Sequence, residues 1–197
     1  RALRDRYVNG EEPVTAHLLG RLRRDRRKGV QQIYEVLQRR FERDRDLLPV
    51  LRSELAAEIE AERLELQEVD AKQAPLRAWL ESGPPPRVLA GNLPYQITGP
   101  LLERTVGLAP AVDRVVLLVQ LEVAARLTAR AGDASYGALS VFVQARFEPK
   151  RELVVRRGAF YPQPRVDSAV VVLRPREAPL AVETAAYQNR SPNMWPV

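Results

Sequence analysis

The chain has 197 residues, 45% of them hydrophobic, and a formal net charge of +6, which is length for one domain with an appendage and apolar content for a core. It holds no cysteine and a single histidine, His17, which excludes disulfides, thiolate zinc sites, cysteine nucleophiles and multi-histidine metal clusters. No run of roughly 18 uninterrupted apolar residues occurs and no signal-peptide pattern opens the chain, so the expectation is a cytoplasmic protein with no membrane partner and no metal.

The charge is unevenly spread. Residues 1–46 carry thirteen Lys/Arg against eight Asp/Glu, residues 47–105 six against nine, and residues 106–197 twelve against eight. Basic ends suit a phosphate backbone, which cations bind by releasing its counterions. Solvated faces of arginine-rich helices give the same composition.

In chain order, residues 13–68 predict mainly helix. Residues 14–22 form a short amphipathic segment, and Arg23-Arg-Asp-Arg-Arg-Lys28 is a charge run closed by Gly29. Val30, Ile33, Val36, Leu37 and Phe41 then recur at helical spacing. Pro49 is expected to interrupt the next stretch, which resumes with Val50, Leu51, Leu55 and Ile59. Residues 63–70 alternate polar and apolar and predict a short strand.

The second half has a clearer rhythm. Gly83-Pro-Pro-Pro86 is a stiff connector, and residues 87–90 are the strand it feeds. Pro100 suits a helix start, predicting a helix over 101–106. Residues 114–119 are a continuous apolar run of the kind found in a buried parallel strand. Residues 122–131 and 138–146 predict two more helices. The β-rich segments 152–155 and 168–173 flank Phe160-Tyr-Pro-Gln-Pro164 and predict an antiparallel edge hairpin. Strands alternating with helices imply an α/β fold with a mostly parallel sheet.

Asn92-Leu93-Pro94-Tyr95 directly follows the apolar run 87–91. These residue types suit methyl transfer to the exocyclic amine of a nucleobase, whose lone pair is delocalised into the ring. An Asn carboxamide oxygen and the main-chain carbonyl of the next residue can accept from the amine and favour a pyramidal nitrogen. Proline fixes the turn and removes a competing N–H, and the tyrosine ring offers a face for the base. Asn-x-Pro also marks an ordinary turn after a strand.

Three blocks share an order and spacing: Gly91-Asn-Leu-Pro-Tyr-Gln-Ile-Thr98; Gln120-Leu-Glu-Val-Ala-Ala-Arg-Leu127 with Tyr136-Gly-Ala-Leu-Ser140; and Ala159-Phe-Tyr-Pro-Gln-Pro-Arg-Val-Asp-Ser168. Together they resemble the ribosomal small-subunit RNA adenine dimethyltransferase family of KsgA type. The resemblance runs from about Arg87 to Arg176 and reaches back more weakly to Glu42. It implies a Rossmann-like methyltransferase sheet, S-adenosylmethionine as methyl donor, and ribosomal RNA of the small subunit as partner. By that likeness Asn92 and the Leu93 carbonyl hold the target amine, with Pro94 in the turn, and Asn92 borders the cofactor. Tyr95 and Phe160 become aromatic walls for the adenine. Glu42 would bind the cofactor ribose hydroxyls, and Asp70 with Ala71 would read its adenine.

The chain also departs from that pattern. The family's Gly-x-Gly-x-Gly cofactor loop precedes its acidic position, whereas residues 1–40 contain only Gly10, Gly20 and Gly29, too far apart for one loop. The first strand, first helix and most of the second strand are therefore expected to be missing, with a basic helical segment in their place. The expected organisation is a basic helical segment over 1–41, a partial methyltransferase domain over 42–176 and a disordered tail over 177–197. With Arg rather than Met as first residue, a truncated or rearranged protein is expected. The fold expectation is thus an α/β protein with an incomplete Rossmann-like sheet behind an arginine-rich helical segment. Its expected activity is dimethylation of adenine amines in small-subunit ribosomal RNA, and the alternative is a catalytically inactive RNA-binding remnant.

Overall fold

A computed structural model describes residues 39–42, 47–62, 64–93, 97–160 and 163–180. Contacts divide them into two units. The first runs up to Ala74 and takes in Ala159 and Phe160, and the second holds the rest from Pro75 onward.

The first unit is built on two parallel strands, β1 (Arg39–Glu42) and β2 (Glu65–Glu68), in the register Arg39 opposite Glu65 to Glu42 opposite Glu68. Parallel neighbours need a crossover. Helices α1 (Leu47–Glu54) and α2 (Ala56–Glu60) fill it. Pro49 does not interrupt this stretch: it sits in the first turn of α1, where a missing N–H costs no intrahelical bond. The helical reading of the 30–41 stretch fails at its end, because Arg39–Glu42 is a strand. Pairing with β2, a contact the local period cannot register, overrides helical spacing there. The remainder of the predicted basic helical segment lies outside the described residues, as does the 181–197 stretch of the expected tail.

In the second unit, four strands form a sheet in the order β3-β4-β6-β5: β3 (Val88–Asn92), β4 (Arg114–Gln120), β5 (Phe147–Val155) and β6 (Ser168–Pro175). β3 and β4 are parallel, while β6 runs antiparallel to both β4 and β5. This sheet is therefore mixed rather than mostly parallel, because the hairpin from β5 reverses the chain before β6 joins β4. The apolar run predicted as a buried strand is β4, and Val115, Leu117 and Val119 are at most 1% exposed. On the neighbouring β6, Ala169, Val171 and Leu173 are fully buried at the same alternate spacing. The late hairpin is present, but only β5 is an edge, since β6 pairs on both sides. β3 is the other edge of this sheet among the described residues.

Helices cover this sheet. α3 (Leu76–Ser82) has no counterpart among the predicted elements and buries only Leu76. α4 (Thr98–Gly107) crosses from β3 to β4, burying Thr98, Leu101, Leu102, Thr105 and Val106 at helical spacing, with Pro100 in its first turn. α5 (Leu121–Thr128) follows β4 without a linker and buries Val123, Ala124 and Leu127, and α6 (Ala138–Gln144) packs beside it.

The contact between α5 and α6 accounts for the Tyr136-Gly-Ala-Leu-Ser140 block. A helix ends with carbonyls that lack intrahelical donors. At α5 they are met from α6: the Ser140 hydroxyl donates to the Arg126 carbonyl at 2.6 Å, and the Gln144 amide donates to Leu127 and Ala129 at 2.9 and 2.8 Å. Ser140 is fully buried and also accepts the Gly137 N–H at 3.1 Å. Gly132, at φ +98°, takes the left-handed turn between the helices, a conformation that favours glycine. Ser140→Ala removes the shared partner of the Arg126 carbonyl and the Gly137 N–H, so urea denaturation is expected to show a loss of about 1–3 kcal/mol.

Candidate active site at the carboxyl edge of the sheet

Asn92 is the last residue of β3, opposite Leu118 of β4, and is exposed. Beyond it the Leu93 N–H donates to the Leu118 carbonyl at 3.0 Å, so the ladder to β4 continues one residue further. The Leu93 side chain is buried at 7% exposure. A buried residue directly after an exposed one anchors the strand end and leaves the carboxamide at the rim. A Cβ added at Gly91 would meet Leu93 Cδ2 at 3.4 Å and Leu117 Cδ2 at 3.8 Å. The strand end is therefore packed closely against its own anchor. Pro94 and Tyr95 lie outside the described residues.

The same rim receives the ends of the β5–β6 connection. Gln120 at the carboxyl end of β4 faces Ser168, and Ser168 faces Val155 at the end of β5. The connection between β5 and β6 thus leaves and returns at the edge that presents Asn92. Two strand spacings separate β3 from β6, which is about 10 Å across the sheet. Phe160 itself follows a 3-10 turn, Arg157–Ala159, and is half-buried.

Asp167 holds the neck of this segment, a role the sequence reading does not assign. Its Oδ1 accepts the Arg157 N–H at 2.9 Å, and its Oδ2 accepts from Arg156 Nη1 at 2.8 Å. Its main-chain carbonyl accepts the Leu121 N–H at 2.9 Å, tying the neck to the start of α5. The Arg157 N–H and the Arg156 guanidinium hold the Asp167 carboxyl below the usual carboxylate value. The only advance signal is its place in the Arg-Val-Asp-Ser168 end of the third block.

The carboxylates matched to the cofactor lie in the other unit. Glu42 ends β1 opposite Glu68, and Asp70 stands two residues past Glu68, so both mark the carboxyl ends of neighbouring parallel strands. Asp70 Oδ1 accepts the Lys72 N–H at 2.8 Å, and the Asp70 carbonyl accepts from Gln73 and Ala74 at 2.8 and 2.9 Å. Asp70 and Ala71 are half-buried in this turn. Glu42 thus ends a strand rather than lying on the helix expected up to Phe41.

Comparison with known proteins agrees with this architecture. The family model described as ribosomal RNA adenine dimethylase matches residues 38–189. The chain belongs to the ribosomal RNA adenine dimethylase family. Among curated relatives, the ribosomal RNA small subunit methyltransferase A of Pelotomaculum thermopropionicum is 47% identical over 142 residues, 69% of this chain and 48% of the relative. That of Rubrobacter xylanophilus is 42% identical over 163 residues, 78% of this chain and 60% of the relative. The chain spans about half the length of the curated relatives it matches. Among solved structures, a dimethyladenosine transferase from Plasmodium falciparum superposes with a TM-score of 0.60 at 28% identity, covering 71% of this chain and 48% of that one. The 23S rRNA methyltransferase ErmE gives a TM-score of 0.60 at 29% identity, covering 76% and 57%.

The match begins at residue 38, just before β1. A strand within the matched span therefore stands where a helix was expected. No helix among the described residues is long and apolar enough to cross a membrane, and no cluster of three or more metal-ligating side chains occurs among them.

The lowered Asp167 value gives a pH dependence with a definite sign. A carboxyl whose folded value is depressed contributes stability above its unfolded value, about 3.9 for Asp, and loses it as pH falls through the lower folded value. Hydrogen exchange of the Arg157 amide, corrected for intrinsic rates, should show protection at neutral pH that fades in that acid window. Asp167→Asn is expected to abolish the pH dependence.

Proposed function

We propose that this protein dimethylates adenine exocyclic amines in ribosomal RNA, that of the small subunit, with S-adenosylmethionine as methyl donor. The observation that carries the reading is the exposed Asn92 at the end of β3, on the rim where the β5–β6 connection is rooted. Family membership and the printed names of the relatives support the substrate.

Asn92 Oδ1 and the Leu93 carbonyl accept the two amine hydrogens of the adenine. Sharing those hydrogens with acceptors off the ring plane favours a pyramidal nitrogen with its lone pair available. By the family likeness, Tyr95 offers a ring for the base to stack on and Phe160 a second aromatic wall. After the first transfer one N–H remains, so only one acceptor is used in the second. The gain comes from orientation and from dipoles already aimed before reaction.

The residues present fit the nucleoside portion of the donor. Glu42 and Asp70 bring two carboxylate-bearing positions to adjacent strand ends, where a carboxylate can accept from ribose hydroxyls or from an adenine amine. When bound, the donor supplies an electrophilic methyl group on a sulfonium sulfur. The described turn at Asp70 keeps its carboxylate in a fixed position through the Lys72 N–H.

Calorimetry with S-adenosylmethionine should show binding, and no heat at millimolar ligand would sink the enzyme reading. RNA binding without donor binding would instead favour the inactive RNA-binding remnant. In a protein that does bind the donor, Asn92→Ala should cut methyl transfer by about 10²–10³-fold, as loss of one preorganised polar group does elsewhere. Donor affinity should change little. Full activity in that variant would remove Asn92 from the mechanism.

A further inference from the structure

Arg156, Arg157 and Arg165 stand at the neck of the β5–β6 connection, and all three are exposed. From Lys150 to Asp167 the chain carries five basic and two acidic residues. Glu152 is engaged by Lys150 at 3.0 Å, which leaves Asp167 as the carboxylate of this stretch at the neck itself.

Asp167 orients the Arg156 side chain and the Arg157 backbone more than it neutralises the neck. It accepts from Arg156 Nη1 at 2.8 Å, yet the Arg156 side chain stays 83% exposed, so the rest of its guanidinium faces solvent. Its other oxygen fixes the backbone of Arg157, and Arg157 Nη1 reaches the Arg165 carbonyl at 3.5 Å across the neck. An exposed pair of this kind contributes little to stability. What it does is hold the Arg156 side chain, which would otherwise sample many rotamers, and the backbone from which Arg157 projects.

A planar guanidinium presents several N–H donors in a fork that matches phosphate oxygens. Three of them at one neck, with one carboxylate among them, make a site of positive potential. Its place in the fold selects the ligand. The neck lies on the same rim as Asn92, about 10 Å across the sheet at β6. Arg157 is three residues before Phe160, at most about 11 Å along an extended chain. A strand of RNA whose adenine is seated at Asn92 therefore passes its flanking backbone within reach of the neck.

We propose that Arg156, Arg157 and Arg165 form a phosphate clamp that grips the single-stranded RNA backbone beside the target adenine. The proposal rests on the reading of the carboxyl rim as an adenine-holding site. The clamp sets RNA affinity and register, while Asn92 and Leu93 set the chemistry.

The test is fluorescence anisotropy of the full chain with a short single-stranded RNA bearing two adjacent adenines, across a salt series and without methyl donor. Each phosphate contact on a single strand contributes about 0.7 to the slope of log affinity against log salt. The triple variant Arg156→Gln/Arg157→Gln/Arg165→Gln is expected to lower the slope by about 2, the sum of three such contacts. Arg146→Gln, at the opposite end of β5, should leave it unchanged. The triple Lys variant keeps the charges and should keep most of the slope, which separates a lost clamp from a misfolded loop. An unchanged slope in the Gln variant, an equal loss in Arg146→Gln, or no RNA binding by the parent chain at low salt would overturn the clamp. Because this assay needs no methyl donor, a parent chain that binds RNA through the arginines here but transfers no methyl group in a separate assay with S-adenosylmethionine would overturn the methylation reading and support the clamp.

Discussion

The structure of the second unit depends on β4 being paired on both sides. Its parallel ladder to β3 and its antiparallel ladder to β6 are set by one apolar strand, and a shift of one residue would turn its buried side chains to the opposite face. That register is what brings Asn92, Gln120, Ser168 and Val155 to one rim. The helices then act to hold this arrangement. α4 returns the chain from the end of β3 to the start of β4, and α5 begins where β4 stops. The make-up of the rim is a consequence of strand pairing deep in the sheet.

Two kinds of residue meet at that rim, and they answer to different physical demands. Leu93 is buried and holds the strand end, which frees Asn92 to stay exposed without loosening the backbone beneath it. Asp167 performs the corresponding task for the β5–β6 segment. Its carboxylate and carbonyl join the end of β5 and the start of α5 to the start of β6. Loops that carry function work best when rooted on rigid elements, and both roots here are hydrogen-bonded to the central strands or their immediate extensions.

Much of this is legible in the sequence where the signal is local. The apolar run at β4 and the helical spacing of α4 both identify their elements. So does the placement of Asn92 after a strand. The block at Tyr136 to Ser140 is visible as a motif, but its role in capping α5 depends on a contact between helices. Arg39–Glu42 reads as helix because Phe41 continues the Val30, Ile33, Val36, Leu37 spacing. Four residues with two arginines and a glutamate have no alternation of their own, and only pairing with β2 makes them a strand. α3 escapes a sequence reading because a seven-residue helix with one buried side chain leaves almost no periodic trace. Asp167 stands within a motif without an evident role, since its side-chain partners lie ten and eleven residues away across the hairpin. The places of Pro94 and Tyr95 lie outside the described residues, while Glu42 and Asp70 gain definite positions at strand ends.

The central claim is that the carboxyl rim of β3 and β4 seats the adenine. Photo-crosslinking from an azido-adenine placed at the target position of an RNA, with mass spectrometry of the adducts, tests it directly. The account predicts adducts in the peptides spanning residues 88–98 and 156–167. Adducts confined to the exposed turn between α5 and α6, with neither rim peptide labelled, would contradict it.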